Sequence, residues 1–258
     1  MLRLLTTRED LDTLLDREDL VLVPTMGALH EGHLSLMRLA REHGRKVIVS
    51  IFVNPLQFGE GEDFDQYPRK LVEDMDLIGD FADYLWAPTC QDIYPLEVES
   101  KLEMIHANSE IADKLCGLSR KGHFDGVCTV VTRLFDFVKS SKAVFGEKDF
   151  QQLMVIEDMV KRYKLPVEII RGPMIREGCG LAMSSRNQYL SDKERKTAAN
   201  IYKYLKEVAS GALTIDHARE IMISLGIELE YLEKHWDRLF FAGKVGQTRL
   251  IDNINTGS

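Results

Sequence analysis

Residues 47–53 read VIVSIFV and are followed at once by Asn54-Pro55. A run that is apolar apart from Ser50 and rich in β-branched side chains predicts a strand covered on both faces. Such a strand is typical of a parallel sheet in an α/β domain, and Asn-Pro is a common turn signal that ends it. This stretch therefore sets the fold class in which the rest of the chain is interpreted.

Further strands and helices alternate on both sides of this stretch. Apolar runs predict strands at 20–23, 83–87, 143–145 and 167–170, and helical periodicity predicts helices at about 34–43, 69–79, 127–138 and 150–163. A strand at 97–105, a helix at 109–115 and a loop at 118–126 complete this half. The alternation predicts an α/β fold with a doubly wound parallel sheet, the Rossmann-like arrangement.

The pattern changes after Arg171. A loop is predicted at 172–182, and Ser191 with Glu194 forms a capping box for a helix that runs to about residue 209. Thr214 caps a second helix, two short strands follow at 227–232 and 238–244, and residues 249–254 form a tail. We therefore expect a Rossmann-like domain at 1–171 and a smaller α+β domain at 172–258. The smaller domain is expected to close as a lid over bound nucleotide because its glycine-containing loop can move, and the alternative is a rigid appendage that serves dimerisation.

Composition narrows the class of partner. The chain has 258 residues, 45% of them hydrophobic, and 33 basic against 41 acidic side chains give a net charge of −8. An acidic chain is repelled by a phosphate backbone, so nucleic acid is not expected as the main partner. No run approaches the roughly 18 apolar residues of a membrane span. Scattered cysteines without a CxxC pair and an N-terminus unlike a signal peptide lead us to expect a cytoplasmic protein.

Four polar clusters each follow a predicted strand. In an open parallel sheet, ligands bind beyond the carboxyl ends of the strands, so all four clusters are expected to converge on one crevice. The clusters are residues 25–33, 54–57, 146–152 and 175–186.

The first cluster holds His30-Glu31-Gly32-His33 at the start of a helix. The histidines are three residues apart rather than the four of HExxH, so a zinc site is not predicted. Helix N-terminal amides attract phosphate, and two imidazoles beside them can donate to phosphate oxygens as charge grows on a leaving pyrophosphate. The alternative is an ordinary capped helix with surface histidines.

The other clusters offer complementary groups. Amides of Asn54 and Gln57 can bind hydroxyl and carboxylate groups without adding charge, although Asn-Pro is also a common turn. Lys148 can reach a phosphate, and Asp149 can bind a ribose hydroxyl or cap the following helix, while Gln152 can face the same crevice. The last group combines two hydroxyls with a guanidinium and suits a phosphate clamp or a polar linker; it consists of Ser184, Ser185 and Arg186.

Taken together, PTMGALHEGH (24–33), SIFVNPLQF (50–58), FGEKDFQQL (145–153) and GLAMSSRNQYL (180–190) resemble the pantothenate synthetase family. That family belongs to the nucleotidyltransferase-like group that carries HxGH, and MSSRN resembles the KMSKS loop of class I aminoacyl-tRNA synthetases. The resemblance implies an ATP- and Mg²⁺-dependent ligase that joins pantoate to β-alanine through a pantoyl adenylate and releases AMP and pyrophosphate. It also implies a homodimer.

The resemblance assigns roles to matching positions. Catalytic groups are then His30, His33, Lys148 and Arg186. Gln57, Gln152 and Asn54 take pantoate and β-alanine. ATP is contacted by Met26, Gly27, Ala28, Leu29, His30, Glu31, Gly32, His33, Gly146, Glu147, Lys148, Asp149, Ile175, Met183, Ser184, Ser185 and Arg186.

Other classes of protein share parts of this pattern. A nucleotidyltransferase that leaves the nucleoside monophosphate on its substrate also carries HxGH, but it releases no free AMP. A non-catalytic nucleotide-binding regulator has no need of intact His30, His33, Lys148 and Arg186. The length and acidity of the chain disfavour a tRNA synthetase.

Overall fold

The computed structural model describes residues 1–14, 17–95 and 103–257. They form two compact units: Met1–Glu147 with Gln151–Gly172, and Lys148–Phe150 with Pro173–Ser258. The strand predicted at 97–105 falls mainly on residues outside the described part, and the described residues 103–105 form no strand.

A six-stranded sheet of described residues organises the first unit. Its strands all pair in parallel in the order β1-β4-β3-β2-β5-β6, which confirms the predicted Rossmann-like sheet. The strands are β1 Arg3–Leu5, β2 Leu20–Thr25, β3 Lys46–Ile51, β4 Tyr84–Trp86, β5 Lys142–Gly146 and β6 Glu168–Gly172.

The strand order places a switch point between β2 and β5. From β2 the chain builds outward through β3 and β4, and it then returns to add β5 and β6 on the other side of β2. In the described ranges β2 and β5 pair only through Val21–Lys142 and Leu22–Ala143, so their carboxyl ends are not joined by a ladder. Ligands of open α/β sheets bind at such a switch point.

Helices follow the strands. Among the described residues of this half, the helices are α1 Arg8–Asp12, α2 Glu31–His43, α3 Leu71–Ile78, α4 Cys90–Ile93, α5 Ser109–Ala112, α6 Cys116–Ser119, α7 His123–Val138 and α8 Phe150–Tyr163. One face of the sheet packs on α2 and α3 through Val21, Val23, Met37 and Ile78. The alternate strand residue Leu22 is also fully buried, so both faces are covered.

Several predicted boundaries are wrong for identifiable reasons. The 118–126 segment is not a loop, because α7 begins at His123 and buries His123 and Phe124, and this burial overrides the local glycine and charge pattern. Helix α3 begins at Leu71 rather than beside Pro68. The edge strand β1 is only three residues long and was not predicted from the sequence.

The second unit is a small α+β fold. Helices α9 Asp192–Ala209 and α10 Ile215–Ser224 share a core with an antiparallel sheet of described residues in the order β7-β8-β9. Its strands are β7 Ile227–His235, β8 Arg238–Val245 and β9 Thr248–Asn255. The Ser191–Glu194 capping box of α9 and the Thr214 cap of α10 confirm the predicted helix starts.

The segment before α9 is more ordered than a plain loop. Arg176 bridges Ala182 in an antiparallel pair, the Met183 amide donates to the Ile175 carbonyl at 3.0 Å, and Gly180 turns the chain at φ 92°. Residues 175–183 therefore form a closed hairpin inside this unit. In the described ranges, no helix combines the length and apolar character needed to cross a membrane.

Candidate active site

A strained turn connects β2 to α2. The Thr25 hydroxyl donates to the Ser50 carbonyl at 2.8 Å and accepts from the Gly27 amide at 3.2 Å. Gly27 has φ 81° and Ala28 has φ 51°, a left-handed conformation that is uncommon for a residue with a side chain. Such a conformation persists only where its surroundings hold it.

The group that holds this turn is Asp74 of α3, which sequence reasoning did not select. Its carboxylate accepts from the Ala28 amide at 3.0 Å and from the Leu29 amide at 2.7 Å, and the residue is 1% exposed. Burial raises the pKa of Asp74 above its ordinary value, although the two backbone hydrogen bonds favour its charged form. No local sequence signal connects Asp74 to a turn 45 residues away.

The two histidines of the HxGH segment cap α2 reciprocally. His30 Nδ1 accepts from the Gly32 amide at 3.2 Å, and His33 Nδ1 accepts from the His30 amide at 3.3 Å. The rings lie 4.1 Å apart between centroids. A ring nitrogen that accepts an N–H bond carries no proton, so in this arrangement each neutral imidazole bears its proton on Nε2. Both histidines therefore have an Nε2–H donor at the start of α2.

This geometry changes one sequence expectation. The helix N-terminal amides were expected to attract phosphate, but the Gly32 amide is engaged by His30 Nδ1 and the His33 amide by the His30 carbonyl. Glu31 also directs its carboxylate to Arg38 along the helix. In this segment the imidazole Nε2–H groups are donors of suitable chemistry for phosphate.

A second part of the site follows β3. Gln57 is 9% exposed; its Oε1 accepts from Asn54 Nδ2 at 3.1 Å, and its Nε2 lies 3.1 Å from the Met26 sulfur. Because Oε1 is occupied by a donor, the carboxamide orientation is fixed and Nε2 remains a donor. Within the described residues, Gln57 keeps one Nε2 hydrogen for a ligand.

Asn54 is fully engaged inside the protein. Its Nδ2 also donates to the Gly126 carbonyl at 3.1 Å, and its Oδ1 accepts from the Leu56 amide at 3.3 Å and the Tyr94 hydroxyl at 2.9 Å. The residue is 1% exposed. These contacts favour a role in orienting Gln57 over contact with substrate.

Helix α7 supports the same turn from behind. His123 Nδ1 donates to the Gln57 carbonyl at 2.7 Å, and its Nε2 accepts from Arg120 at 3.1 Å. Arg120 also donates to the Gln57 carbonyl at 3.2 Å and binds Glu62. Burial alone would raise the pKa of Glu62, but hydrogen bonding and charge from Arg120 hold it below its ordinary value. Sequence reasoning missed this network because it treated 118–126 as a loop.

The adjacent glutamines of α8 differ sharply. Gln151 is 5% exposed, donates to the carbonyls of Ile111 at 2.9 Å and Lys114 at 2.6 Å, and accepts from the Cys116 amide at 3.1 Å. Gln152 is half-buried, and in the part of the chain that the structure describes its carboxamide makes no hydrogen bond within the protein. Of these two glutamines, Gln152 is therefore the one whose carboxamide can bind a ligand.

Between these elements, Gly146 ends β5 and pairs with Gly172 of β6, and Glu147 begins a 3-10 turn to Asp149. In the second unit, Lys148 Nζ lies 3.5 Å from the Asp149 carboxylate. Asn253 of β9 donates to the Lys148 carbonyl at 3.0 Å. The backbone at Lys148 is thus fixed to the C-terminal strand.

The serine-rich segment of the second unit is held by its own side chains. Ser184 Oγ accepts from the Arg186 amide at 3.3 Å and begins the 3-10 turn Ser185–Tyr189. Asn187 is buried and donates to Glu177 at 2.8 Å and to the Ala182 carbonyl at 3.0 Å. Ile175 and Met183 close the preceding hairpin, so this unit presents Met183 to Arg186 from an internally bonded segment.

The first unit therefore joins, at the switch point of a parallel sheet, paired imidazole donors and an oriented glutamine. This combination suits an α/β enzyme that acts on the phosphates of a nucleotide. The family model described as Pantoate-beta-alanine ligase matches residues 3–255. The chain belongs to the pantoate–β-alanine ligase family.

Relatives and solved structures agree. The chain is 45% identical to a pantothenate synthetase of Syntrophomonas wolfei, covering 92% of this chain and 91% of the relative. It is 46% identical to the pantothenate synthetase of Acinetobacter baylyi, and the match covers 90% of this chain and 89% of that relative. The crystal structure of the Thermus thermophilus pantothenate synthetase superposes with a TM-score of 0.90 at 38% identity over 99% of this chain and 100% of that one. The ligase of Francisella tularensis, complexed with β-γ ATP and β-alanine, gives 0.91 at 36% identity over 100% and 99%.

Proposed function

We propose that the chain makes pantothenate through a pantoyl-adenylate intermediate, with His30 and His33 acting on the phosphates of ATP. The overall reaction of this ligase family joins pantoate to β-alanine with ATP. The observation that carries the proposal is the reciprocal cap in which both imidazoles accept at Nδ1 and so donate from Nε2.

The chemistry is a pair of displacements. A pantoate carboxylate oxygen attacks the α-phosphorus of ATP, the bond to the bridging oxygen breaks, and pyrophosphate leaves. The β-alanine amine then attacks the acyl carbon, loses a proton, and AMP leaves with the electron pair of the broken acyl–oxygen bond. Donors that meet charge developing on phosphate oxygens lower the barrier to the first step, and His33 with His30 supplies them.

Substrate placement is assigned to the glutamines. The Gln57 Nε2 donor suits a hydroxyl or carboxylate oxygen of pantoate, and Asn54 orients it. The Gln152 carboxamide offers both a donor and an acceptor to the same small hydroxy acid. Lys148 and Arg186 supply positive charge for the triphosphate, and Ser184 and Ser185 supply hydroxyl donors.

Mg²⁺ is proposed to arrive with ATP. Among the described residues, no three His, Cys, Asp or Glu side chains group so that they could hold a metal ion. We therefore propose that Mg²⁺ is held mainly by phosphate oxygens of ATP and by water, as is usual in enzymes that use nucleotides. The ion neutralises phosphate charge when bound. We also propose a homodimer in the cytoplasm, which light scattering and cell fractionation would test.

The second unit is proposed to act as a lid that shields the acyl adenylate from water. Its 175–183 hairpin is internally bonded, so we expect it to move together with Met183–Arg186 rather than to flex by itself. Limited proteolysis between residues 173 and 187 should slow with saturating ATP and pantoate. Unchanged cleavage would contradict the lid.

Product analysis tests the reaction itself. Incubation with ATP, Mg²⁺, pantoate and β-alanine should yield pantothenate, AMP and pyrophosphate in equal amounts. A nucleotidyltransferase would instead leave the nucleoside monophosphate on its substrate and release no AMP. Absence of AMP, or AMP without pantothenate, would contradict the proposal.

A further inference from the structure

Asp74 and the turn before α2 form a buried contact that joins two distant parts of the first unit. The two carboxylate oxygens divide between two consecutive amides, with Oδ2 on Ala28 and Oδ1 on Leu29. Both oxygens of the carboxylate therefore act on one turn. A carboxylate is suited to this because each oxygen is an acceptor, whereas a carboxamide of the same size presents one acceptor and one donor.

The turn at residues 27–29 has an unfavourable backbone conformation that a hydrogen-bond partner can stabilise. Ala28 has φ 51°, a left-handed conformation that is unfavourable in free energy for any residue with a side chain. The consecutive positive φ values at Gly27 and Ala28 turn the amides of Ala28 and Leu29 toward Asp74. A Cβ on Gly27 would lie 2.9 Å from Asp74 Oδ2, which shows how closely the chain packs on the carboxylate. Without Asp74 the two amides would lack their acceptor, and the left-handed conformation would lose its support.

The turn leads directly to the two imidazoles. Leu29 immediately precedes His30, which is the N-cap of α2 and accepts from Gly32 through Nδ1. A change in the path of residues 27–29 therefore moves the cap and the Nε2–H donors together. Burial raises the pKa of Asp74 because removal from water disfavours its charged form, and the hydrogen bonds from the Leu29 and Ala28 amides oppose that effect.

We propose that Asp74 is a positioning residue for the adenylation step, which fixes the 27–29 turn so that His30 and His33 meet the phosphates of ATP. This inference rests on the proposed function of the histidines. It assigns Asp74 no contact with substrate. Its signature is a defect in the use of ATP that exceeds any defect in the use of pantoate.

The test compares Asp74→Asn with Asp76→Asn, an exposed aspartate on the same helix. Pantoate-dependent pyrophosphate exchange is measured at varied ATP and varied pantoate, and each variant is also melted thermally. For Asp74→Asn we expect KM for ATP to rise about tenfold, the effect of losing one charge-assisted hydrogen bond. KM for pantoate should stay within about twofold, because Gln57 is held by Asn54 and not by Asp74. Asp76→Asn should match the wild type.

A second experiment relieves the backbone strain at Ala28. Glycine adopts φ 51° without a steric cost, so Ala28→Gly combined with Asp74→Asn should recover part of the affinity for ATP. If Asp74→Asn does not fold, Asp74→Glu replaces it; both acceptor oxygens are kept on a longer side chain, and the ATP-specific rise in KM is still expected. Equal losses for ATP and pantoate, no difference from Asp76→Asn, or no recovery by Ala28→Gly would overturn the positioning role. Wild-type enzyme without exchange would instead overturn the proposed function itself.

Discussion

His33 contributes twice to the start of α2. Its Nδ1 accepts from the His30 amide, and its Nε2 therefore carries the proton and donates. We expect His33→Ala to slow pyrophosphate exchange by about 10²–10³, the usual cost of one transition-state donor. The lost cap should lower the free energy of unfolding by only about 1 kcal/mol, so the variant should remain folded.

The matched control is His43→Ala at the opposite end of the same helix, where the side chain is exposed. This variant should exchange pyrophosphate at the wild-type rate. A folded His33→Ala protein with near-normal exchange would show that the HxGH segment is only a helix cap.

The two glutamines of α8 provide a crossed comparison. Gln152→Ala should raise KM for pantoate with little change in thermal midpoint, because within the described residues its carboxamide bonds to no protein group. Gln151→Ala should lower the thermal midpoint and leave KM for pantoate nearly unchanged. It removes the buried partner of the Cys116 amide and of two carbonyls, at a cost of about 1–3 kcal/mol in unfolding free energy. Steady-state kinetics and thermal unfolding measure both. If both variants changed KM and thermal midpoint in the same way, Gln152 could not be assigned to substrate and Gln151 to the fold.

Helix α7 packs its backbone directly on the turn that carries Gln57. A Cβ on Gly126 would lie 2.2 Å from the Leu56 carbonyl oxygen and 2.8 Å from the Gln57 nitrogen, distances that require the backbone to shift. We expect Gly126→Ala to lower the unfolding free energy by about 1–3 kcal/mol and to raise KM for pantoate more than KM for ATP.

Gly178→Ala is its control, because a Cβ there meets nothing within 4 Å. It should resemble the wild type in kinetics and in stability. Unaltered pantoate kinetics in Gly126→Ala would mean that α7 does not determine the position of Gln57.

Helices and strands could be predicted from the sequence where adjacent residues determine them. The capping box at Ser191 and the cap at Thr214 fix helix starts through adjacent residues, and the apolar run Val47–Val49 is fully buried, as its composition predicts. The start of α7 was not predictable, because the burial of His123 depends on the Gln57 carbonyl, 66 residues away. The reciprocal histidine cap and the Asp74 contact also depend on geometry, so the sequence identified the HxGH residues and not the way they are held.

The second unit contains a buried ion pair. Arg176 contacts both oxygens of Asp252 at 2.7 and 2.8 Å, and the side chains are 17% and 4% exposed. Asp252→Asn leaves the guanidinium buried without its counter-charge, so we expect a loss of about 3 kcal/mol or more. Hydrogen exchange should quicken in β8 and β9 and remain unchanged in β2 and β3.

Asp216→Asn provides the comparison, because its ion pair with Arg219 has an Asp216 side chain that is 87% exposed. Its effect should stay within about 1 kcal/mol. Equal acceleration of exchange in both units after Asp252→Asn would show that the ion pair supports the whole chain rather than the second unit.

Pyrophosphate exchange into ATP, measured with pantoate present and β-alanine absent, shows whether the enzyme forms pantoyl adenylate. An enzyme that forms pantoyl adenylate must return labelled pyrophosphate to ATP under these conditions. We expect exchange that requires pantoate, proceeds without β-alanine and slows by about 10²–10³ in His33→Ala. Exchange that is absent until β-alanine is added would contradict an adenylate intermediate, and exchange that ignores pantoate would contradict pantoate as the group activated.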